Sequence, residues 1–216
     1  SSIRPKYLKP GDKIMLVAPA RFVLPATIQA AASAVLAAGF TPVIPPELDA
    51  RHHQFAGSDS HRASLLNSAF RDQSIRAVFA LRGGYGSGRL LPLLDSSAYK
   101  ADPTWIVGFS DITALHAWST NLGISSLHAP VASTLTSTSP ADVEAIWSNL
   151  RGECDFDPNV KVTGGNLSVL YSLLGTPYFP NVRGSFLFLE DIDEYLYHID
   201  RMFLAFKLAG VFEKAE

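Results

Sequence analysis

The chain has 216 residues, of which 47% are hydrophobic and 18% charged, and its formal net charge is -2. This length allows one large domain, or one domain and part of a second, and a near-neutral charge without any basic run argues against a nucleic-acid partner. No stretch reaches the roughly 20 apolar residues of a membrane-spanning helix, and the first residues lack the apolar segment of an export signal. We therefore expect a cytoplasmic protein without membrane contact. The single cysteine, Cys154, cannot form an internal disulfide, which fits a reducing compartment.

Apolar runs alternate with helical patterns over the first 150 residues. Strands are predicted at 13–18, 41–44, 75–81, 105–107 and 124–127, and helices at 26–38, 63–70, 111–118 and 140–150. This alternation predicts an α/β fold with a parallel sheet of the flavodoxin or Rossmann-like type.

The remaining third of the chain has a different organisation. Residues 151–163 have no periodic pattern and contain glycine, proline and charges, so we predict a domain at 1–150, a linker at 151–163 and an incomplete second domain of mixed α and β at 164–216. In this second part we expect a helix at 167–174, a strand at 185–189 and a helix at 195–208.

A serine follows the predicted strand at 105–107, within the sequence W-I-V-G-F-S-D-I-T. Gly108 permits a sharp turn before the next helix, which would place Ser110 on a strand-to-helix turn with the first N-H groups of the helix beside its hydroxyl. Ile112 stands where the usual G-x-S-x-G elbow has its second glycine, so the common hydrolase fold does not follow. The alternative is that Ser110 or Asp111 only caps the helix.

A glycine-rich loop, R-G-G-Y-G-S-G at 82–88, follows the strand at 75–81, and we expect a helix to begin near Arg89. Its backbone can approach a ligand closely. One hypothesis is a phosphate site, although the lysine of a P-loop and the dinucleotide context are absent. The other is an oxyanion site, in which a glycine N-H joins the Asp111 N-H, because loops at the carboxyl ends of neighbouring parallel strands share one edge.

Two further groups of polar residues need an interpretation. His52, His53 and His61 lie close together, but their spacing matches no recognised ligand pattern, and we predict no metal site there. Glu190 and Asp191 end an apolar strand, where they could cap the helix at 195–208 or orient a catalytic base.

Five stretches in order along the chain give it a resemblance to a known family. They are F-A-G-S-D-S-H-R at 55–62, A-L-R-G-G-Y-G at 80–86, G-F-S-D-I-T at 108–113, G-G-N-L at 164–167 and L-E-D-I at 189–192. Together they resemble the LD-carboxypeptidase family, the muramoyltetrapeptide carboxypeptidases of peptidoglycan recycling.

The resemblance implies a serine peptidase that needs no metal or cofactor and uses a Ser-Glu-His triad. Ser110 matches the nucleophile and Glu190 the glutamate that orients the histidine, while the N-H groups of Asp111 and Gly84 match the oxyanion donors. Substrate contacts are implied at Gly83, Tyr85 and Asn166. The implied substrate is a peptidoglycan tetrapeptide, which loses its terminal D-alanine by cleavage of an L,D bond in the cytoplasm, and the implied assembly is a homodimer.

The family's catalytic histidine lies beyond the stretch that matches this sequence, so the chain is expected to be a portion of a longer enzyme and inactive by itself. His116, His128 and His198 are not good substitutes, since none is expected to face Ser110 with an orienting acid. Two alternatives remain: a relative that hydrolyses peptide-nucleotide antibiotics for self-immunity, or a binding module without catalysis. Thr163, where the immunity type has a tryptophan, favours the cell-wall substrate.

Overall fold

The computed structural model describes residues 2–154 and 157–216 and contains a five-stranded sheet in which all neighbours are parallel. The strand order is β2-β1-β3-β4-β5. The strands are β1 (Lys13–Val17), β2 (Thr41–Val43), β3 (Ile75–Ala80), β4 (Trp105–Gly108) and β5 (Leu127–His128). The helices between and after them are α1 (Pro25–Ala37), α2 (Asp59–Arg71), α3 (Ser96–Ala101), α4 (Thr113–Asn121) and α5 (Pro140–Arg151).

The central strands are apolar on both faces, which explains their continuous hydrophobic runs. Along β1, Met15 and Val17 pack into one core cluster, whereas Ile14 and Leu16 pack into a second cluster across the sheet. Successive side chains of a strand point to opposite faces, so each run supplies both cores. The prediction of a doubly wound parallel sheet is confirmed.

The order 2-1-3-4-5 is that of flavodoxin-like sheets, which bind ligands outside the carboxyl ends of the strands, at the β1/β3 switch point. The loops that follow β1, β3 and β4 therefore lie side by side at one edge. These loops carry Arg21, the glycine-rich segment and Ser110 respectively.

The second part of the chain packs around a small core of its own. It contains a parallel strand pair, β6 (Val162–Asn166) with β7 (Phe186–Glu190), and the helices α6 (Leu167–Leu173), α7 (Leu196–Leu208) and α8 (Val211–Lys214). The buried residues of this core are Leu167, Leu170, Val182, Met202, Phe206 and Val211. Gly164 is required where the strands meet, because a Cβ on it would lie 1.7 Å from the Phe188 carbonyl oxygen.

Three elements differ from their sequence predictions. The helix predicted near Arg89 begins at Ser87 and runs to Leu93. It is a 3-10 helix, because Pro92 lacks the N-H that a continuing α-helix needs. Strand β5 has two residues only. The predicted linker 151–163 contains the last residue of α5 and the first two residues of β6, and residues 155 and 156 lie outside the described part.

Among the described residues, no helix combines the length and the apolar character that crossing a bilayer requires.

Candidate active site

Ser110 lies on a strained turn between strand β4 and helix α4. Its φ is +59°, in the left-handed region that residues with a Cβ adopt at a cost. A 3-10 turn at Ser110–Ile112 then leads into α4. Gly108 makes the turn possible, because a Cβ there would lie 2.8 Å from Ile112 Cγ1 and 3.1 Å from Ala80 Cβ. The structure thus has the predicted sharp turn without a second glycine at Ile112.

The helix-cap hypothesis for Ser110 and Asp111 is not supported. Neither the 3-10 turn nor α4 has a side-chain cap hydrogen bond. The first bond of the turn runs from the Ile112 N-H to the Phe109 carbonyl (3.2 Å), so the Asp111 N-H precedes the hydrogen-bonded part of the helix. Within the described residues, the half-buried Ser110 hydroxyl has no hydrogen-bond partner.

The glycine-rich loop runs directly beside this serine. A Cβ built on Gly83 would lie 3.4 Å from Ser110 Cβ and 3.6 Å from Ser110 Oγ. Gly84 and Gly86 have φ values of +113° and +141°, which favour glycine. The two loops therefore meet at the sheet edge as predicted, with backbone rather than side chains next to the hydroxyl.

The buried carboxylate of Asp111 fastens the glycine-rich loop to the serine turn. Its Oδ2 accepts the Ser87 N-H (2.9 Å), while Ser87 Oγ donates to the Asp111 carbonyl oxygen (2.6 Å). Burial raises the pKa of this carboxyl, and the hydrogen bonds from Ser87 and Gly86, with the Arg62 charge, oppose that rise. Asp111 thus fixes the relative position of the two loops through its side chain.

Arg62 on helix α2 connects the glycine-rich loop to the loop after β1. This role could not be predicted from the sequence. Its side chain is 1% exposed. The guanidinium donates to the carbonyl oxygens of Pro19 (2.6 Å), Gly86 (3.0 Å) and Gly57 (3.3 Å) and pairs with Asp59. The only signal in the sequence was its position in the F-A-G-S-D-S-H-R stretch.

Glu190 ends strand β7 in the second part of the chain. It lies opposite Asn166 in the β6-β7 register, and Asn166 Nδ2 donates to Glu190 Oε1 (3.5 Å). The Asn166 N-H donates to Thr113 Oγ1 (2.9 Å), which connects this strand pair to the first turn of α4. Burial, with the Asp191 charge, raises the pKa of Glu190, and the Asn166 hydrogen bond opposes the rise.

The alternative in which Glu190 and Asp191 cap the helix at 195–208 is wrong. Helix α7 has Tyr195 as its N-cap without a side-chain hydrogen bond. Asp191 Oδ2 instead accepts the Ser168 N-H (3.0 Å) in the first turn of α6. The sequence could not show this, because α6 precedes Asp191 by some twenty residues and meets it only through the strand pair.

The residues predicted to contact substrate lie in different surroundings. Gly83 is beside Ser110, and Tyr85 is 57% exposed with its ring 6.0 Å from that of Phe55. Asn166 is 7% exposed, and its Oδ1 accepts the Val169 N-H (3.1 Å) at the start of α6. The Asn166 side chain thus bonds to both Val169 and Glu190, and its contact with substrate stays a prediction.

The three histidines considered as a catalytic base contact groups other than the serine hydroxyl. In the described part of the chain, none of them hydrogen-bonds to Ser110 Oγ. His116 is buried behind the turn, where its Nε2 donates to the Gly108 carbonyl (2.8 Å) and its Nδ1 accepts from Ser126 Oγ (2.5 Å). His198 Nδ1 contacts Glu194 (3.2 Å), and the His128 ring lies edge-on to Phe188 (5.4 Å between centroids).

Acid should destabilise the fold through His116. Burial lowers its pKa from 6.5 to about 4. Because the pKa is lower in the folded state, neutral His116 favours the folded state above pH 6.5. The free energy of unfolding should fall by about 3 kcal/mol as the pH drops from 6.5 through 4. Urea unfolding at pH 7 and pH 4 should show this loss in the native chain and a smaller loss in His116→Gln. The exposed His52→Gln serves as control, and equal losses in all three proteins would contradict the assignment.

Comparison with known proteins identifies the family. The sequence profile described as the LD-carboxypeptidase N-terminal domain matches residues 14–129, and the profile of the LD-carboxypeptidase C-terminal domain matches residues 160–216. The chain belongs to the LD-carboxypeptidase family. It is therefore a serine-type hydrolase of the carboxypeptidase class.

Curated members of this family align with nearly all of the chain. The probable murein peptide carboxypeptidase of Bacillus subtilis is 34% identical over 96% of the chain and 70% of its own length. The murein tetrapeptide carboxypeptidase of Pseudomonas aeruginosa is 31% identical over 88% of the chain and 69% of its own length.

Two solved structures have the same fold as the chain. The muramoyltetrapeptide carboxypeptidase of Oxalobacter formigenes is 28% identical with a TM-score of 0.84, and the match covers 94% of the chain and 74% of that protein. The MccF-like protein of Bacillus anthracis is 24% identical with a TM-score of 0.89, and the match covers 100% of the chain and 79% of that protein. At this identity the likeness supports the fold only.

Proposed function

We propose that the protein removes the terminal D-alanine from murein tetrapeptides by cleaving the L,D bond between diaminopimelate and D-alanine. The observation that carries this proposal is Ser110 on its strained turn, with the Gly83-Gly84 backbone beside its hydroxyl. The names of the B. subtilis, P. aeruginosa and O. formigenes relatives support the substrate class.

In the proposed mechanism Ser110 Oγ attacks the scissile carbonyl carbon. The carbonyl oxygen becomes negatively charged and is bound by the N-H groups of Gly84 and Asp111, which the Asp111-Ser87 bonds hold in position. The family's histidine would accept the serine proton and return it to the departing D-alanine nitrogen, and Glu190 would orient that histidine. Water then hydrolyses the acyl-enzyme. Tyr85 would border the substrate channel.

The oxyanion hypothesis is preferred over the phosphate hypothesis because the chain belongs to a peptidase family. Self-immunity hydrolysis is less favoured, since the structural relatives of the microcin type are 22–24% identical and support the fold only. Thr163 is also buried and hydrogen-bonded to Ser185 (3.2 Å), so it is not available to hold a nucleobase. Membership of an enzyme family also disfavours a non-catalytic binding module.

A cytoplasmic role in peptidoglycan recycling and a homodimeric assembly are part of the proposal. The family resemblance supports both. Apolar side chains of α7 such as Leu196 and Leu208 are 82% and 78% exposed, a surface that a second copy could cover. Sedimentation equilibrium of the full-length gene product should give twice the monomer mass.

The test of function is cleavage of three substrates by the full-length gene product, measured as release of D-alanine from two peptides and of sulfamoyl adenosine from a nucleotide analogue. We expect release from a muramoyl tetrapeptide and none from the matching pentapeptide or from an aminoacyl-sulfamoyl adenosine. A scissile bond between two D-centres in the pentapeptide places the wrong configuration at the attacked carbonyl. Cleavage of the nucleotide analogue alone would favour the immunity function, and cleavage of none of the three would contradict the proposal.

A further inference from the structure

Arg21 lies at the same sheet edge, in the loop after β1, and takes no part in the mechanism described above. Its Nε is buried and has no hydrogen-bond partner. The side chain as a whole is half-buried, and in the described part of the chain no carboxylate lies within ion-pair distance of it. No hydrogen bond among the described residues uses the terminal nitrogens of this guanidinium, so their N-H groups are available to a ligand.

The other arginines near this edge are already occupied. Arg62 and Arg89 share Asp59, Arg82 donates to the Phe22 carbonyl (3.3 Å), and Arg51 lies 3.6 Å above the centre of the Phe22 ring. Asp59 balances the charge of Arg62 and Arg89 only, and no carboxylate of the described residues pairs with Arg21, Arg51 or Arg82. The edge therefore keeps an excess of positive charge that favours an anionic ligand, and Arg21 is the one of these arginines for which the described residues provide neither a hydrogen bond nor a ring contact.

Two successive glycines connect Arg21 to the candidate nucleophile. A Cβ on Gly84 would lie 2.4 Å from Arg21 Cδ and 2.5 Å from Arg21 Cγ, while a Cβ on Gly83 would lie 3.6 Å from Ser110 Oγ. The arginine and the serine thus flank one dipeptide, whose Cα atoms are about 3.8 Å apart. A group bound at the Gly84 N-H is next to both side chains.

We infer that Arg21 binds the free terminal carboxylate of the substrate and thereby selects the last peptide bond. This inference rests on the proposed carboxypeptidase function. In a D-alanine residue, the carboxylate carbon is about 3 Å from the scissile carbonyl carbon. With that carbonyl at Ser110 and its oxygen at Gly84, the carboxylate faces the arginine side of the dipeptide. A guanidinium binds a carboxylate through two parallel N-H bonds, and the two terminal nitrogens of Arg21 have no hydrogen-bond partner among the described residues.

The test compares a tetrapeptide that ends in a carboxylate with the same peptide ending in D-alanine amide. Arg21→Met should lower kcat/KM for the carboxylate substrate about 10- to 100-fold, mainly through KM, and change that for the amide less than about threefold. Arg21→Lys should recover part of the loss. Arg51→Met, which removes a neighbouring cation stacked on an aromatic ring, should retain the preference for the carboxylate.

A parallel loss on both substrates would show that Arg21 only supports the Gly84 backbone, and would overturn the inference. Unchanged kcat/KM values for both substrates in Arg21→Met would overturn it as well. In both cases release by the native enzyme leaves the proposed function standing. If the native full-length enzyme releases neither D-alanine from the first substrate nor D-alanine amide from the second, it is the proposed function that fails.

Discussion

Ser110→Ala should abolish D-alanine release from a muramoyl tetrapeptide while the protein stays folded. Removing a serine nucleophile typically lowers kcat by more than about 10³-fold, because only the oxyanion site and substrate binding remain. The hydroxyl has no partner in the described structure, so its removal should change the free energy of unfolding by less than about 0.5 kcal/mol.

A second variant at this position separates catalysis from strain. Ser110→Gly also removes the hydroxyl, but glycine adopts the +59° φ without cost, so this variant should be inactive and about 1 kcal/mol more stable than the native chain. Ser137→Ala, at an exposed serine, is the control for both measurements. Normal turnover by Ser110→Ala would refute the assignment of the nucleophile, and a Ser110→Gly variant no more stable than the native chain would refute the strain.

Arg62→Met should destabilise the protein more than any other substitution proposed above. It leaves the carbonyl oxygens of Pro19, Gly57 and Gly86 without their shared donor in a buried site. Removing one partner from a buried charged network costs about 3–5 kcal/mol, which corresponds to roughly 10 °C in Tm. Because Gly86 belongs to the glycine-rich loop, D-alanine release by the protein that remains folded should fall as well.

Controls distinguish this network from a general effect of charge. Arg71→Met removes an arginine that is 61% exposed and paired with Asp95, and should cost no more than about 1 kcal/mol. Arg62→Lys keeps the positive charge but cannot reach all three carbonyls, so its Tm should lie between those of Arg62→Met and the native protein. Thermal unfolding that is equal for Arg62→Met and Arg71→Met would show that the buried network is unimportant.

Much of the fold could be predicted from the sequence, because its cause is local and repeated. The runs at β1 and β3 are apolar at nearly every position, and the arrangement that buries both faces of several such strands is a parallel sheet covered by helices. The position of Ser110 after β4 could be predicted in the same way, and so could its proximity to the glycine-rich loop. Both follow from the rule that parallel strands end at one edge.

Other features depend on contacts between distant segments, which no local pattern reports. Arg62 looks like an ordinary surface residue of an amphipathic helix, and its burial depends on carbonyl groups 24 and 43 residues away. Asp191 meets the first turn of α6 only because β6 and β7 pair. The same strand pairing places the Asn166 amide beside Glu190.

The most direct test of the central claim is a search for the acyl-enzyme on Ser110. The full-length gene product would be mixed with muramoyl tetrapeptide, quenched in acid during the first turnover and digested for mass spectrometry. Our account predicts that the peptide containing Ser110 gains the mass of the muramoyl-tripeptide acyl group, and that Ser110→Ala shows no such gain. D-alanine release with the adduct on another residue, or unimpaired release by Ser110→Ala without an adduct, would contradict it.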